Sequence, residues 1–241
     1  DGPRMKYQNV LTEMDGDLLI VTLHWPERQN AMNHQMRVDL MACVQGAETD
    51  DAVKAIVLTG AGEKAFCAGA NIPELEQRTL ASELGPSATL RKDLPTTIER
   101  LGKPTVAAIN GYCFGAGLEL AMGCTVRVAS DNAVLAQPEI TLGQIPGSGG
   151  TQRLYRFVGL GWAMQMVLTG QRIDAKTASS IGLVTEVMAP ADLLPRAKEL
   201  ARLLGAQAPI AFAAGRDAVL RSTETDLLTG IDYERKLYAL C

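Results

Sequence analysis

The stretch from Lys103 to Glu139 constrains the fold of this chain more than any other. It opens with a short apolar run at 105–109, which is typical of a buried strand, and a glycine-rich turn follows at 114–117. A helix of small residues is predicted over 118–123, and a second strand-like run over 125–128. A strand, a tight turn, a helix and another strand in so short a span predict an α/β fold.

Two glutamates lie in this stretch. Glu119 falls in the first turn of the predicted helix, and Glu139 follows twenty residues later. Backbone N–H groups at a helix start are unpaired and carry the positive end of the helix dipole, so they favour a negative oxygen. We therefore predict that the glycine-rich turn holds an oxyanion while the two carboxylates handle protons and water.

Each glutamate also has an ordinary structural explanation. An acidic residue in the first turn stabilises a helix through its dipole, which would account for Glu119 alone. A surface carboxylate after Pro138 would account for Glu139, although the apolar residues on both sides favour a buried position. Two glycine-rich turns beside the pair favour a catalytic role for both.

Composition limits the class of protein. The chain has 241 residues, 47% hydrophobic and 21% charged, which suffices for one large domain or for one domain with a helical appendage. A net charge of −4 argues against a nucleic-acid-binding surface. The five cysteines are scattered without a CxxC pair, which predicts reduced thiols and a cytoplasmic location, with the mitochondrial matrix as the alternative. No apolar run reaches the ~18 residues that a membrane-spanning helix needs.

The chain before this stretch is predicted to alternate strands and helices. The polar segment 74–100 is predicted to be a mobile helix–loop–helix lid, and the small residues at 65–71 suit close approach of the backbone to a ligand. The other predicted elements are a hairpin of two strands at 9–13 and 17–23, a helix capped by Asn33 that runs to about Gly46, and a buried strand at 52–59.

The chain after the stretch becomes helical. A second glycine-rich turn lies at 144–150, and from residue 191 onward the pattern is helix alone. This change predicts a core of repeated ββα units at 5–190 and a C-terminal helical oligomerisation module at 191–241. The last helix reaches Cys241 without a stop signal, so we expect the natural chain to continue. The predicted elements are helices at 151–158, 161–169, 174–181, 191–204, 209–221 and 224–240 and a strand at 182–188.

Several well-known catalytic motifs are absent from the sequence. The trio at 115–117 begins a GxGxxG dinucleotide motif, but Leu120 occupies its third glycine position. Ser148 misses the GxSxG nucleophile elbow by one residue. The only histidines, His24 and His34, lie close together near the N-terminus, and no cysteine–histidine cluster indicates a metal site. The sequence therefore favours neither a dinucleotide-dependent enzyme, nor a serine hydrolase, nor a metalloenzyme.

Short motifs spread along the chain form one pattern. They are NAMN at 30–33, AFCAGANI at 65–72, the run 103–117 with Glu119, QPE at 137–139, LG at 142–143, IPG at 145–147, GGTQRL at 149–154 and LTG at 168–170. Together they resemble the crotonase (enoyl-CoA hydratase/isomerase) superfamily, and within it the enoyl-CoA hydratases. The likeness runs in family order from about residue 8 to residue 240, which is nearly the whole chain.

The resemblance implies an acyl-CoA site. In that family two backbone N–H groups form an oxyanion hole for the thioester oxygen, and by position these belong to Ala70 and Ala116. The two catalytic carboxylates of the hydratases fall on Glu119 and Glu139. We assign Glu119 as the base on water and Glu139 as the acid at the α-carbon, although the sequence alone leaves the two roles interchangeable.

The resemblance also implies residues that surround the substrate, with three departures from the family pattern. Ala116 stands where the family usually has glycine, Asn71 where it usually has aspartate, and Pro73 where hydratases often have lysine. The implied substrate-binding residues are Ala31, Lys64, Ala68, Gly69, Gly115 and Gly147.

Three functions remain open from the sequence. The first is hydration of 2-enoyl-CoA thioesters, with CoA as part of the substrate and no separate cofactor. The second is enoyl-CoA isomerisation or another crotonase-type reaction, which the glutamate pair disfavours because isomerising members commonly lack the first glutamate. The third is a non-catalytic RNA-binding or scaffold member of the fold, which the acidic composition disfavours. The resemblance further implies a homotrimer or a hexamer of two trimers, with neither nucleic acid nor membrane as a partner.

Overall fold

The computed structural model describes residues 7–241, apart from the side chain of Ser87. Residues 1–6, and with them the predicted start of the core at residue 5, lie outside the described residues. The strands in the described range are β1 (Val10–Asp15), β2 (Leu18–Leu23), β3 (Ala55–Gly60), β4 (Ala65–Cys67), β5 (Thr105–Ile109), β6 (Tyr112–Phe114), β7 (Val126–Ser130), β8 (Val134–Ala136), β9 (Ile173–Asp174) and β10 (Glu186–Met188). The α-helices are α1 (His34–Thr49), α2 (Ile72–Glu76), α3 (Leu80–Glu83), α4 (Pro86–Arg100), α5 (Ala116–Gly123), α6 (Gly150–Thr169), α7 (Ala175–Ser180), α8 (Pro190–Gly205), α9 (Pro209–Arg221) and α10 (Leu227–Tyr238).

A six-stranded sheet forms the centre of the fold. Its strand order is β1-β2-β3-β5-β7-β10, and each neighbouring pair is parallel except the β1–β2 hairpin. The hairpin predicted from Asp15-Gly16 is present, and Gly16 supplies the positive φ of 64° that its turn needs. Parallel neighbours require crossover connections, and the intervening helices supply them.

Side chains of this sheet alternate between two buried faces. On β2, Val21 and Leu23 pack into the larger core, whereas Leu18 and Ile20 pack into the smaller one. Helix α8 covers the smaller core with a stripe spaced at i, i+4 and i+8. The stripe consists of Leu193, Ala197 and Ala201. Burial on both faces explains why the strands read as continuous apolar runs in the sequence.

The position of α8 bears on the predicted division at residue 190. Because α8 packs on the sheet it shares the core, whereas α9 and α10 contain no fully buried residue. The division into a core and a C-terminal module stays a prediction, and this packing favours a boundary near Ala206.

Several elements differ from those that the sequence pattern predicts. A single lid over 74–100 is wrong for its second half, because α4 lies in the core with Leu94 and Ile98 only 2% and 3% exposed. Strands β4, β6, β8 and β9 occupy residues for which the pattern predicts no strand. The two helices predicted at 151–158 and 161–169 are joined as α6, which breaks at Gly159 with φ 76° and ψ 169°.

Candidate active site

Three parallel strands of the second sheet end at one edge. This sheet has the order β4-β6-β8-β9, and β6 pairs in parallel with both β4 and β8. Ala70 lies three residues beyond β4, Ala116 two beyond β6 and Glu139 three beyond β8. Because the carboxyl ends of parallel strands share an edge, the fold brings these three together. Glu119 joins them from α5, which begins two residues after β6.

The N–H groups of Ala70 and Ala116 are available to bind an oxygen. Ala116 is the first residue of α5, so its N–H has no partner within the helix. No hydrogen bond between residues in the described range uses the N–H of Ala70. The backbone before Ala70 is fixed by the N–H of Met32, which donates to the carbonyl of Gly69 at 2.7 Å. A Cβ on Gly69 would lie only 3.3 Å from the carbonyl oxygen of Phe114. The backbone segments that carry the N–H groups of Ala70 and Ala116 are therefore in contact.

Alanine at position 116 does not strain the turn. The residue that requires a left-handed backbone is Gly115, with φ 48°, and the only described non-glycine residues with positive φ are Gln29 and Asn30. The methyl group of Ala116 therefore replaces the family's usual glycine without a backbone penalty. A Cβ on Gly115 would in addition lie 2.7 Å from Oε1 of Glu139, so a larger residue at position 115 would displace that carboxylate.

Glu119 is almost fully buried and is held at one oxygen by two backbone donors. It is 2% exposed, and its Oε1 accepts hydrogen bonds from the N–H groups of Ser148 at 2.7 Å and Gly150 at 2.8 Å. Gly150 is the first residue of α6, so the carboxylate lies at the positive end of that helix. Burial raises the pKa of Glu119, and the two N–H donors oppose that rise.

Glu139 begins a short 3₁₀ turn, Glu139–Leu142, and is half-buried. Burial first, and then repulsion from the charge of Glu119, raise the pKa of Glu139 to about 7. The fully buried amide of Gln137 lies against it: with its nitrogen turned toward Glu139, Nε2 lies 3.0 Å from Oε1 and 3.1 Å from Oε2. A carboxyl group with a near-neutral pKa can both hold and release a proton at neutral pH.

Arg153 ties the loop that holds Glu119 to helix α4. Its Nη1 donates to the carbonyl oxygen of Ser148 at 3.1 Å. Its Nε and Nη2 donate to the carboxylate of Glu99 at 2.9 and 2.8 Å. The Ser148 residue is therefore held at both ends, its N–H by Glu119 and its carbonyl by Arg153. Arg153 and Glu99 lie 54 residues apart along the chain, so no local sequence pattern predicts their contact.

The predicted substrate-binding residues fall into two groups. Four lie beside the two N–H groups: Ala31, which precedes the Met32–Ala70 bridge, Ala68, Gly69 and Gly115. Lys64 is exposed and lies at the opposite end of β4 from Ala70, so it does not join the carboxylates. Gly147 is exposed and precedes Ser148.

The site combines donors for a negative oxygen with two carboxyl groups. Such a set can stabilise an enolate and move protons to and from carbon and water. Within residues 7–241, no three or more histidine, cysteine, aspartate or glutamate side chains are grouped so that they could hold a metal ion.

Comparison with known proteins identifies the family. The family model for enoyl-CoA hydratase/isomerase matches residues 13–240. The short-chain-enoyl-CoA hydratase of Clostridium acetobutylicum is 39% identical over 237 residues, which covers 98% of this chain and 90% of that protein. The 2,3-dehydroadipyl-CoA hydratase of Escherichia coli is 41% identical over 224 residues, covering 92% and 86%. The crystal structure of enoyl-CoA hydratase from Bacillus anthracis is similar with a TM-score of 0.91 and 33% identity, covering 96% of this chain and 90% of that one. A family model that spans nearly the whole chain, with relatives near 40% identity, shows that this chain belongs to the enoyl-CoA hydratase/isomerase family.

Proposed function

We propose that this chain is a hydro-lyase that adds water across the 2,3 double bond of 2-enoyl-CoA thioesters. The observation on which the proposal rests is that Glu119, Glu139 and the N–H groups of Ala70 and Ala116 converge at one edge of the small sheet. The names of the two hydratase relatives support the same reaction class. Those two names give different acyl groups, so they leave the acyl specificity of this chain open.

Hydration requires charge to develop on the thioester oxygen. The oxygen of water forms a bond to C3, the electron pair of the double bond moves toward the carbonyl, and an enolate results. A proton then bonds to C2, the enolate returns to the thioester, and the sum of the steps is addition of H and OH without oxidation or reduction. We assign the N–H groups of Ala70 and Ala116 to the enolate oxygen, where one such donor typically contributes about 3 kcal/mol.

The environments of the two carboxyl groups support different roles. Burial raises the pKa of Glu119, but this carboxyl group accepts two N–H hydrogen bonds at the start of α6, which oppose that rise and favour the ionised form. An ionised Glu119 is suited to orient water and take its proton. Glu139, with a pKa raised to about 7, retains a proton in a large fraction of molecules at neutral pH and is suited to deliver it to C2.

The alternative functions have less support. Moving a double bond along the acyl chain requires a single group near the carbon atoms that both accepts and donates a proton. The second carboxylate, that of Glu119, is buried and held by the N–H groups of Ser148 and Gly150, so it is suited to act on water. A net charge of −4 gives little attraction for an RNA backbone. Hydration therefore remains the leading proposal.

The test is loss of the conjugated-thioester absorbance of a short 2-enoyl-CoA on addition of the purified protein. Rapid loss is expected for the wild type, and Glu119→Gln and Glu139→Gln should each reduce kcat by about 10²- to 10⁴-fold. Glu199→Gln, on the exposed side of α8, is the matched control and should retain full activity. Absence of activity on every chain length, or full activity in both site variants, would refute the proposal.

The same proposal extends to assembly and cofactor use. Helices α9 and α10 leave large apolar side chains exposed: Ile210, Val219, Leu227, Leu228 and Tyr238. A neighbouring copy in a homotrimer, or in a hexamer of two trimers, would cover such a surface. The mass in solution by light scattering tests this, and a monomer at micromolar concentration would refute it.

We also propose that the enzyme is cytoplasmic and needs no cofactor beyond the CoA of its substrate. No helix of the described range has the length and apolar character to cross a membrane.

A further inference from the structure

A guanidinium lies behind the segment that holds Glu119. The N–H groups of Ser148 and Gly150 donate to Oε1 of Glu119, and Nη1 of Arg153 donates to the carbonyl oxygen of Ser148 at 3.1 Å. The same guanidinium packs on Gly149, which has a φ of 97°, so closely that a Cβ there would collide with Nη1. The position of both donors to Glu119 therefore depends on where Arg153 is held.

Helix α4 holds Arg153 in one orientation. Nε and Nη2 of Arg153 donate to the two carboxylate oxygens of Glu99 at 2.9 and 2.8 Å, and Nη2 also donates to Oγ1 of Thr96 at 3.0 Å. Two parallel hydrogen bonds fix the plane of a guanidinium as well as its position, which a lysine ammonium cannot reproduce. The side chains of Arg153 and Glu99 are only 11% and 23% exposed, so solvent and salt screen their charges weakly.

The helix that holds Arg153 also packs on the helix that carries Glu119. Gly123, the last residue of α5, lies against Pro95 of α4, where a Cβ would be 2.5 Å from the Pro95 carbonyl oxygen. The contacts thus close a ring that runs from Glu119 through α6 and α4 back to α5. A support of this kind fixes the position of a reacting group without contact to the substrate.

The charged and titratable groups around Glu119 act on it in opposite directions. Burial raises the pKa of Glu119, and the backbone donors and then the positive charge of Arg153 oppose that rise. Glu139, in the turn after β8, repels the charge of Glu119 when both are ionised. Glu99 lies beyond Arg153 and offsets part of its charge. The thiol of Cys67, which packs on the first turn of α5, stays neutral because burial raises its pKa to about 11. Among these side chains, Arg153 is the one that favours the ionised form of Glu119.

We propose that Arg153 and Glu99 are a positioning pair that keeps Glu119 ionised and aimed at water. The proposal rests on the proposed hydratase function and adds two residues to that same site. Arg153 acts through Ser148, where it fixes the donors to Glu119, and through its positive charge, which lies close to the carboxylate. Glu99 acts through Arg153, because it fixes the plane of the guanidinium.

The test is the pH dependence of kcat/KM for a short 2-enoyl-CoA, because its acid limb reports the ionisation of the essential base in the free enzyme. Arg153→Met should move this limb to higher pH by about 1 unit, since loss of a nearby positive charge raises the pKa of a carboxyl group. Arg153→Lys keeps the charge and loses the two parallel bonds, so kcat should fall about tenfold while the limb moves much less. Arg196→Met is the matched control. Arg196 donates to both carboxylate oxygens of Glu186 at 2.8 and 2.9 Å on the far face of the six-stranded sheet, and its loss should leave the limb unchanged.

A double variant separates positioning from structural support. Arg153→Met alone leaves Glu99 as an unpaired, largely buried charge, so it should lower Tm. Arg153→Met combined with Glu99→Met removes both charges and should bring Tm back toward the wild type. In a positioning pair the acid limb stays displaced in the double variant. If the activity and the limb instead return with Tm, the pair is structural support only, and the proposal is overturned.

The failure of this proposal can be told apart from failure of the proposed function. An unchanged acid limb in Arg153→Met would overturn the positioning pair, and hydratase function would stand. A wild type without activity on any 2-enoyl-CoA would refute the proposed function itself. The pair is then tested by thermal unfolding of Arg153→Met, Glu119→Gln and their combination. Changes in Tm that are additive at pH 4, where Glu119 is protonated, and not additive at pH 8 support action of Arg153 on the charge of Glu119. Additive changes at both pH values overturn it.

Discussion

Replacing Glu139 by glutamine should stabilise the folded protein at alkaline pH while it removes a proposed catalytic group. The environment of Glu139 raises its pKa from 4.5 to about 7. Between these values the folded state binds more protons than the unfolded state, so the free energy of unfolding falls as pH rises through this window. The destabilisation is absent below pH 4.5 and complete above pH 7. Glutamine has the same shape and no charge, so it avoids this destabilisation.

The size of the effect follows from the two pKa values. Their difference is 7 − 4.5 = 2.5, which corresponds to about 3.4 kcal/mol at 1.36 kcal/mol per pKa unit. Glu139 is only half-buried, so solvent screening reduces this to about 2 kcal/mol. In a protein of this length 1 kcal/mol changes Tm by about 2–4 °C, so we expect Glu139→Gln to raise Tm by about 4–8 °C at pH 8.

Thermal unfolding followed by circular dichroism at pH 8 and pH 5 measures this directly. At pH 5 the Glu139 carboxyl is mostly protonated in the folded wild type, and the gain should shrink to less than about 2 °C. Glu13→Gln, an exposed position on β1, serves as the control and should change Tm little at either pH. A gain of equal size at both pH values, or a lower Tm of Glu139→Gln at pH 8, would show that the buried charge does not destabilise the fold.

Two further substitutions test how Glu119 is held. Gly150→Ala would place a Cβ 2.9 Å from Oε1 of Glu119, so we expect kcat to fall about 10²-fold in a steady-state assay. The control is Gly161→Ala, whose added Cβ would have nothing within 4 Å, and it should leave kcat unchanged. Arg153→Met removes the donor to the Ser148 carbonyl, so kcat should fall at least about tenfold with a much smaller change in KM. Equal changes in kcat and KM would indicate that Arg153 acts on substrate binding instead.

Local signals in the sequence predict much of the sheet and its helices. The apolar run at 105–109 is strand β5 with the same bounds, and Asn33 caps α1 by accepting the N–H of Met36 at 2.7 Å. The position of Glu119 in the first turn of α5 also agrees with the pattern. These features depend on neighbouring residues alone, so the sequence pattern contains them. The catalytic assignments themselves stay predictions.

Features that depend on distant residues are not readable from the pattern. The donors to Glu119 lie 29 and 31 residues away along the chain, and no periodicity links them to it. Helix α4 is polar in composition, and only its packing against the core shows that Leu94 and Ile98 form a buried stripe. Tertiary contacts, rather than propensities, decide each of these features.

The two backbone donors to Glu119 give this protein an internal spectroscopic indicator. The amide protons of Ser148 and Gly150 point at one carboxylate oxygen, so each resonance should move downfield when that carboxylate acquires its negative charge. An NMR pH titration of two backbone signals would then follow the ionisation of a side chain that no solvent probe reaches. Because the donors are main-chain groups, the indicator survives side-chain substitutions elsewhere in the site, and the charge on Glu119 can be followed in each variant that keeps this glutamate.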